Sequence, residues 1–234
     1  MQQRLIRKIS KNLTENQKRF IAEFIGTFIV VVLATGSIVI DANTNGILGG
    51  ISFIAFAPFV GIAIGIYLFG KISMAHFNPA VTVGFFITKH ITTKIQLAYY
   101  FAAQIIGALL GSLFVKYFIG TQANLGANAP NYAFPLPVIF GVEVLASALL
   151  MAVILLVVYT KGLKGFSGLV IGGIVGLDIF FLSFISGASM NPARSLAPAL
   201  FAGVVNNLWL YWTATFVGTS IVALALQKKL FMDS

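Results

Sequence analysis

The tripeptide Asn-Pro-Ala occurs twice, and its two copies hold the residues best suited to handle a small polar solute. The copies consist of Asn78, Pro79 and Ala80 and of Asn191, Pro192 and Ala193. An asparagine amide can cap a helix and can donate N–H groups to the oxygen of a water or hydroxyl group. Arg194, directly after the second copy, adds a fixed positive charge. These side chains suit solute passage, since the sequence offers no Ser-His-Asp set, metal-ligand cluster or acid pair for catalysis.

The spacing of the two copies indicates an internal repeat. The asparagines lie 113 positions apart in a chain of 234 residues, so each half of the sequence contains one copy of a repeated unit. In each copy Asn stands where an N-cap belongs, and Pro follows at the first helical position, where its missing N–H costs nothing. The apolar or small residues that follow, 81–89 and 193–201, predict helices of roughly 15 Å at a rise of about 1.5 Å per residue. A hydrocarbon core is about 30 Å thick, so these are predicted half-helices.

The elements that must position the two copies are membrane spans. Apolar stretches of 20 residues or more predict six transmembrane helices, at about residues 20–40, 47–69, 95–115, 138–160, 166–186 and 207–226. A half-helix follows the second and the fifth span. Because three spans invert the second half relative to the first, the two short helices are expected to meet end to end near the midplane. The predicted fold is an all-α membrane protein with one channel-like domain, residues 20–234, whose repeats cover about 20–118 and 138–227.

Composition agrees with a membrane protein and excludes several other classes. Hydrophobic residues make up 59% of the chain and charged residues only 9%, against roughly 25% charged in an average soluble domain. The chain has no cysteine, so disulfide and thiolate metal chemistry are excluded, and no cofactor is expected. The net charge of +9 could suggest nucleic acid in a soluble protein. Its placement beside the spans instead indicates contact with the lipid bilayer.

Lysine and arginine set the expected orientation. Residues 1–19 form a basic segment that either lies on anionic lipid as an interfacial helix or is a solvated tail that sets topology. The connection after the second span, the loop after the fourth span and the C-terminal residues are also basic, whereas the loop at residues 119–137 has no charge. The positive-inside rule then predicts that both termini are cytoplasmic.

The paired motifs resemble those of the major intrinsic proteins, the aquaporin and aquaglyceroporin family, and the resemblance extends from about Glu23 to Leu226. It implies a plasma-membrane channel that passes water and small neutral solutes such as glycerol, urea or ammonia. It also implies a homotetramer and no nucleic-acid partner. In such pores the positive ends of two half-helices meet and oppose protons and metal cations, while the asparagines orient the passing oxygen. The extended segments that lead into the half-helices, residues 74–77 and 187–189, would supply carbonyl acceptors.

The resemblance also implies a selectivity filter, with Arg194 at its outer constriction. Counting from the motifs places Pro58, Ile179 and Ala188 at the other three positions. Water-selective members tend to have Phe and His where this chain has Pro58 and Ile179, which predicts a wider, more apolar filter. Phe56 or Phe59 could replace Pro58 at that wall if the proline kinks the second span. Other markers favour water, since Ser195 stands where glycerol facilitators have Asp, and Tyr211 and Trp212 resemble the aromatic pair of water channels.

Three acidic residues lie within the predicted spans, where charge is costly. Glu23 and Glu143 occupy matching places in the first span of each half, and the resemblance implies that they brace the pore loops. His76 resembles the loop histidine of the family and is expected to be another brace. Asp178 matches no charged family position, so it is either a buried brace or a residue facing the fourfold axis of a tetramer.

Two other membrane functions compete with a channel. A secondary transporter also uses inverted repeats and broken helices, but it needs coupling acids at the midplane, for which only Asp178 is a candidate. A membrane-junction or structural protein could retain the fold with a vestigial pore, although two intact Asn-Pro-Ala copies and Arg194 argue against that. A channel is therefore the favoured function, either open to small neutral solutes or strictly selective for water.

Overall fold

The computed structural model describes residues 13–232, and every regular element in that part of the chain is helical. Six helices are long and apolar enough to cross a membrane, and two much shorter ones begin at the Asn-Pro-Ala motifs. Their bounds are α1 Glu15–Asn43, α2 Ile51–Ser73, α3 Pro79–Ile87, α4 Lys94–Phe118, α5 Leu136–Tyr159, α6 Ser167–Ser186, α7 Pro192–Ala202 and α8 Leu208–Met232. The predicted all-α fold of six spans and two half-helices is confirmed.

Helix α1 begins five residues before the predicted first span. Thr14 caps it: the Thr14 hydroxyl accepts from the backbone N–H of Gln17 at 3.3 Å, and the Gln17 side chain accepts from the Thr14 N–H at 2.8 Å. This capping box satisfies two backbone donors at the helix start. Lys18 and Arg19, assigned from the sequence to the basic segment, therefore belong to α1. Residues 1–12 of that segment lie outside the described residues.

The two halves repeat the same packing. Tyr100 of α4 donates its O–H to the Ser73 carbonyl at 2.7 Å, and Tyr211 of α8 donates to the Ser186 carbonyl at 2.6 Å. Each bond ties the last long helix of a half to the C-terminal end of that half's second long helix. Because both tyrosines are buried and bonded alike, they are equivalent parts of the inverted repeat.

The half-helices join the two halves together. Half-helix α3 packs against α8 of the second half, and α7 packs against α4 of the first half, while α3 and α7 also touch each other. Close approach of the long helices depends on glycine: a Cβ at Gly107 would collide with the Phe24 backbone, and one at Gly218 with the Val144 backbone. Small residues at such crossings let membrane helices pack backbone to backbone. The result is a bundle whose centre contains two short helices.

Candidate solute pore

The two motif asparagines cap the half-helices with their side-chain oxygens. Asn78 Oδ1 accepts from the N–H of Ala80 at 2.9 Å and of Val81 at 3.4 Å. Asn191 Oδ1 accepts from the N–H of Ala193 at 3.0 Å and of Arg194 at 3.3 Å. Both asparagines have extended backbone and are followed by proline at the first helical position, as the sequence predicted. Both half-helices therefore start at the motif, with their positive ends toward each other.

The nitrogens of the same amides bond across the junction. Asn78 Nδ2 donates to the Met190 carbonyl at 2.7 Å, and Asn191 Nδ2 donates to the Phe77 carbonyl at 2.9 Å. Each asparagine thus binds the residue just before the other asparagine, so the pair locks the half-helices together. An amide nitrogen has two hydrogens, and this bond uses one of them. The second hydrogen of each amide can serve a solute, since Asn78 and Asn191 both line the central cavity described below.

The sequence analysis predicted extended segments leading into the half-helices. The structure instead gives these segments left-handed backbone at several positions. Met74, Ala75 and Phe77 have φ of 65°, 53° and 50°, and the matching positions in the second half also have positive φ, Gly187 at 87°, Ala188 at 42° and Met190 at 55°. A left-handed conformation costs about 1–3 kcal/mol for each residue other than glycine. The same strained pattern in both halves lets the chain reverse from a long helix into a half-helix within five residues. The surrounding bonds must stabilise it.

Glu23 and Glu143 supply much of that support. The Glu23 carboxylate accepts from the N–H of His76 at 2.9 Å and of Phe77 at 2.7 Å. The Glu143 carboxylate accepts from the N–H of Met190 at 2.6 Å and of Ser189 at 3.2 Å. Both carboxylates are fully buried. Because buried backbone N–H groups must be paired, each glutamate fixes one lead-in segment in its strained conformation.

A polar network around Thr82 completes the first half. The Thr82 hydroxyl donates to the Asn78 carbonyl at 2.9 Å and accepts from Gln104 Nε2 at 2.9 Å, and Gln104 Nε2 also reaches Glu23 at 2.7 Å. His76 Nδ1 lies 3.1 Å from the same hydroxyl. When the Thr82 hydroxyl donates to Asn78, the contact with His76 requires the tautomer with its hydrogen on Nδ1. His76 also stacks on Phe85 of α3, with ring centroids 4.4 Å apart, and this contact holds residues 74–77 against the half-helix.

Arg194 is held by the loop that precedes α5. One Nη of its guanidinium donates to Asn128 Oδ1, and the Ser195 hydroxyl donates to the same oxygen at 3.0 Å. Asn128 Nδ2 in turn donates to the Gly187 carbonyl at 2.9 Å. Arg194 is only 8% exposed, yet no carboxylate pairs with it: the ion pair found among the described side chains is Lys18–Glu15. Its positive charge is therefore not directly paired with a carboxylate among the described side chains.

Two cavities lie side by side and share Arg194 in their walls. The central cavity surrounds the two asparagines and extends along α5 to Val158, and the loop-side cavity lies beside residues 127–129. Both are lined by Ala34, Ile179, Ala188 and Arg194. Three of the four residues assigned to the filter from the sequence thus line both cavities, and we call this shared wall the junction. The path through this junction is lined by apolar side chains and one guanidinium.

Pro58, the fourth filter residue, lines the central cavity only. Of the two alternatives at this wall, Phe56 is 60% exposed on the outside of the bundle, and Phe59 packs against Gly172 and Gly176 of α6. Neither ring lines either cavity. Helix α2 continues through Pro58, and neither phenylalanine is turned toward a cavity.

Asp178 is buried, and it does not line either cavity. The residue is 3% exposed, so a position on the outer surface facing a tetramer axis is excluded for this side chain. It lies eight residues before Ser186, just as Gly65 lies eight before Ser73, and Gly65 leaves room for the Phe77 ring. Met190 stands in the second half at the position of Phe77, and Asp178 at the position of Gly65. Asp178 Oδ2 has no partner among the described residues.

The two markers that favoured a water channel lie behind the path. Tyr211 is buried against Ser186, in the place that Tyr100 occupies in the first half, and Trp212 lies on the neighbouring face of α8. The Ser195 hydroxyl bonds to Asn128 and also to the hydroxyl of Ser189. None of these three side chains lines either cavity.

Sequence reasoning missed Asn128, Gln104 and the two tyrosine bonds. Asn128 lies in an uncharged loop, 66 positions from the arginine that it contacts. Its loop is rich in asparagine, with Asn124, Asn128 and Asn131, and that was the available signal. Gln104 could have been noticed as a polar residue in an apolar span, where an unsatisfied amide would be costly.

Comparison with known proteins agrees with this arrangement. The sequence model of the family described as Major intrinsic protein matches residues 10–226. The chain is 37% identical to the "Glycerol uptake facilitator protein-like 6" of Lactiplantibacillus plantarum over 212 residues, covering 88% of this chain and 95% of that protein. It is also 37% identical to "Aquaporin AqpM" of Methanothermobacter marburgensis over 231 residues, covering 88% and 93%.

A solved structure has the same fold. The aquaglyceroporin from Plasmodium falciparum superposes with a TM-score of 0.76 at 24% identity, covering 92% of this chain and 97% of that one. At that identity the likeness concerns the arrangement of the helices. The residues that decide what passes must be judged from the side chains of this chain.

Proposed function

The chain belongs to the major intrinsic protein family, and on that premise we propose that it forms a passive transmembrane channel for water and small neutral solutes that excludes protons and metal cations. One observation carries the proposal: both motif asparagines line one cavity, and that cavity shares Ile179, Ala188 and Arg194 with the wall of a second one. Irregular backbone at membrane depth is tolerated where it lines such a cavity. The names of the two relatives, a glycerol facilitator and an aquaporin, support this solute class.

Exclusion of cations follows from two positive features of the path. The N-termini of α3 and α7 meet at the asparagine pair, and each carries a partial charge of about +0.5. Arg194 adds a full charge at the junction of the two cavities, without a carboxylate partner among the described side chains. Opposition of half-helix dipoles and an arginine to protons and cations is established for aquaporin-type pores.

Neutral solutes are guided by the remaining donors. The second hydrogen on each amide nitrogen of Asn78 and Asn191 can donate to the oxygen of a water or hydroxyl group in the central cavity. A water that accepts from both amides is oriented with its own hydrogens away from them. This orientation interrupts the hydrogen-bonded file that protons would otherwise follow.

The filter supports solutes beyond water. Ile179 and Ala188 offer no polar atom beyond their backbone, so the guanidinium of Arg194 is the polar side chain at the junction. A solute with an apolar side and a hydroxyl or amine group can place the first on Ile179 and the second on Arg194. Glycerol, urea and ammonia are the expected examples. A strictly water-selective channel is the alternative, favoured by the family markers Ser195, Tyr211 and Trp212.

The proposal also covers the orientation, location and oligomeric state of the protein. We propose that both termini are cytoplasmic, because the basic connections lie on one side of the six spans. We further propose a plasma-membrane homotetramer without catalytic activity. A secondary transporter is less well supported, since Asp178, the candidate coupling acid, lies outside both cavities.

The solute range is tested by stopped-flow light scattering on proteoliposomes. We expect water and at least one of glycerol, urea and ammonia to cross faster than in empty liposomes. The pH gradient should persist, as read by an internal pH dye. If water alone crosses faster, the strictly water-selective alternative is correct.

Replacing Ile179 with histidine should narrow the filter. The imidazole adds polar atoms to the wall where Ile179 now lines both cavities, and it can bond to a water that would otherwise meet only aliphatic carbon. We expect glycerol permeability to fall at least about tenfold, equivalent to about 1.4 kcal/mol, and water permeability to fall by less. Ile171→His, in the wall of the central cavity away from the junction, is the matched control. An equal effect of both substitutions would contradict a filter at Ile179.

Replacing Tyr211 with phenylalanine should affect stability rather than solute choice. The change leaves the buried Ser186 carbonyl without its donor, which costs about 1–3 kcal/mol. Tyr100→Phe removes the equivalent bond in the first half and should lower the unfolding temperature similarly. Both variants should keep the parent ratio of glycerol to water permeability. A changed ratio in Tyr211→Phe alone would show that this tyrosine acts on the filter.

A further inference from the structure

The side chain of Asn128 connects the outer loop to the filter through three hydrogen bonds. Its Oδ1 accepts from the guanidinium of Arg194 and from the hydroxyl of Ser195, at 3.0 Å for the latter. Its Nδ2 donates to the Gly187 carbonyl at 2.9 Å. One neutral side chain thus binds the charged residue of the filter, the residue after it, and the segment that leads into α7.

The position of Asn128 is fixed by an unusual turn. Ala123, Asn124 and Leu125 all have left-handed backbone, with φ of 49°, 51° and 60°. The Leu125 side chain is buried against Val39 and Val115, and Gly126 lies so close to α1 that a Cβ would come within 2.7 Å of the Thr35 carbonyl. Such strain, at about 1–3 kcal/mol per residue, persists only where packing over-determines it. The anchored turn therefore presents Asn128 at a defined place.

The contact of Asn128 with Arg194 bears on the width of the path. Asn128 and Arg194 both line the loop-side cavity, and the bond between them ties the guanidinium to the loop wall. An arginine side chain has several rotatable bonds, and this one has no carboxylate to hold it among the described side chains. Without Asn128 the guanidinium is free to swing away from the loop wall toward Ile179 and Ala188, where it would obstruct a solute.

We propose that Asn128 is a positioning residue of the filter, which holds the Arg194 guanidinium against the loop wall and thereby keeps the junction open to solutes larger than water. The inference rests on the channel function proposed above and assigns to the uncharged outer loop a direct part in solute choice. It also explains how Ser195 can influence selectivity from behind the path. Its hydroxyl occupies the second acceptor site of the oxygen that holds Arg194.

Asn131 provides a control for a purely structural role of the same loop. Its Nδ2 donates to the Phe184 carbonyl at 3.1 Å, and its backbone N–H donates to the Ile185 carbonyl at 3.0 Å. These bonds fasten the loop to the end of α6, as Asn128 fastens it to Gly187. Asn131 does not line either cavity and does not contact Arg194. Loss of loop anchoring alone should therefore appear equally in variants of either asparagine.

The experiment compares parent, Asn128→Ala, Asn128→Asp and Asn131→Ala in proteoliposomes, with water and glycerol permeability and the decay of a pH gradient measured on each. We expect Asn128→Ala to lower the ratio of glycerol to water permeability at least about threefold, with Asn131→Ala at the parent ratio. Asn128→Asp keeps an oxygen that accepts from Arg194, but the added carboxylate offsets the positive charge of the guanidinium. It should therefore keep a ratio closer to the parent than Asn128→Ala does, while the pH gradient decays faster.

Each other outcome overturns the inference. A parent ratio in Asn128→Ala, or an equal shift in Asn128→Ala and Asn131→Ala, would show that the loop is anchored but does not position Arg194. A permeable parent combined with either result leaves the channel function intact and removes this inference alone. A parent impermeable to water and to all tested solutes would overturn the channel function, and this inference with it. Should Asn128→Ala not fold, a slow, parent-like decay of the pH gradient in Asn128→Asp would still contradict the proposed contact.

Discussion

Substitution of Arg194 by valine is expected to open the channel to cations. Arg194 is buried at the junction of the two cavities, and its charge has no carboxylate partner among the described side chains. Repulsion between two unit charges 4 Å apart is worth about 4 kcal/mol at an effective dielectric constant of 20. At about 1.4 kcal/mol for each factor of ten, even half of that repulsion corresponds to more than a tenfold change. We therefore expect at least tenfold faster proton or sodium leak, with water permeability retained.

Val81 identifies the matched control for this variant. It follows Asn78-Pro79-Ala80 as Arg194 follows the second copy, and it lines the central cavity. Val81→Ala changes the equivalent wall without changing charge, and it should leave ion leak at the parent level. The leak is measured with an internal pH dye after a pH jump and with a sodium indicator. Unchanged permeability of Arg194→Val to ions and to every neutral solute would show that Arg194 does not line the conducting path.

The motif asparagines should produce the second large effect. In Asn78→Asp the carboxylate can still cap α3, since aspartate is as good an N-cap as asparagine. It cannot donate to the Met190 carbonyl, however, and it places negative charge at the meeting point of two positive helix ends. We expect faster cation leak together with a loss of stability of about 1–3 kcal/mol from the broken cross-bond. Asn191→Asp should behave alike, because it breaks the equivalent bond to the Phe77 carbonyl.

Serine at the same position separates the two causes. Asn78→Ser retains a capping oxygen and loses the cross-bond, but it adds no charge. If the positive helix ends exclude cations, Asn78→Ser should be destabilised like Asn78→Asp. Its permeability to protons and sodium should nevertheless be much lower. Equal leak in the two variants would mean that the cross-bond, rather than the positive potential, keeps cations out. Ion leak and thermal unfolding are measured on the same preparations.

The repeat explains why so much of the fold could be predicted from the sequence. Two Asn-Pro-Ala copies in membrane-length apolar surroundings determine six spans, an inversion and two half-helices, and the helices lie within a few residues of the predicted ranges. The largest difference between a predicted and an observed helix start is at Glu15. The polar residues before position 20 predicted an end to the span there, but the Thr14 capping box extends the helix through them. Polar residues at a helix end cost little, since they extend beyond the hydrocarbon.

Contacts between distant segments could not be predicted in the same way. The cross-bonds of Asn78 and Asn191 join residues 112 and 114 positions apart, and no sequence rule relates an amide to a distant backbone carbonyl. The left-handed conformations of Phe77 and Met190 were missed because such angles are expected for glycine or asparagine. Buried carboxylates at Glu23 and Glu143 make those angles tolerable.

Symmetry also shows where the two halves differ in function. Asn78 and Asn191, Glu23 and Glu143, and Tyr100 and Tyr211 form equivalent bonds, so the scaffold is nearly the same in both halves. The charge of Arg194 has no counterpart, because Val81 occupies its place in the first half. The proposed filter therefore lies on one side of the asparagine pair, next to the loop that contains Asn128. We propose that solute choice is made on that side, and that Arg194 adds there to the ion exclusion at the asparagine pair.

The concentration dependence of glycerol flux tests the central claim, a passive and continuous path, most directly. Initial swelling rates of proteoliposomes are recorded by stopped-flow light scattering over a wide range of inward glycerol gradients, with empty liposomes subtracted. An open path has no step in which a bound solute must be carried, so the account predicts a protein-dependent rate that rises in proportion to the gradient without saturating. A rate that reaches a plateau, or that requires an ion gradient, would contradict a channel and indicate a transporter.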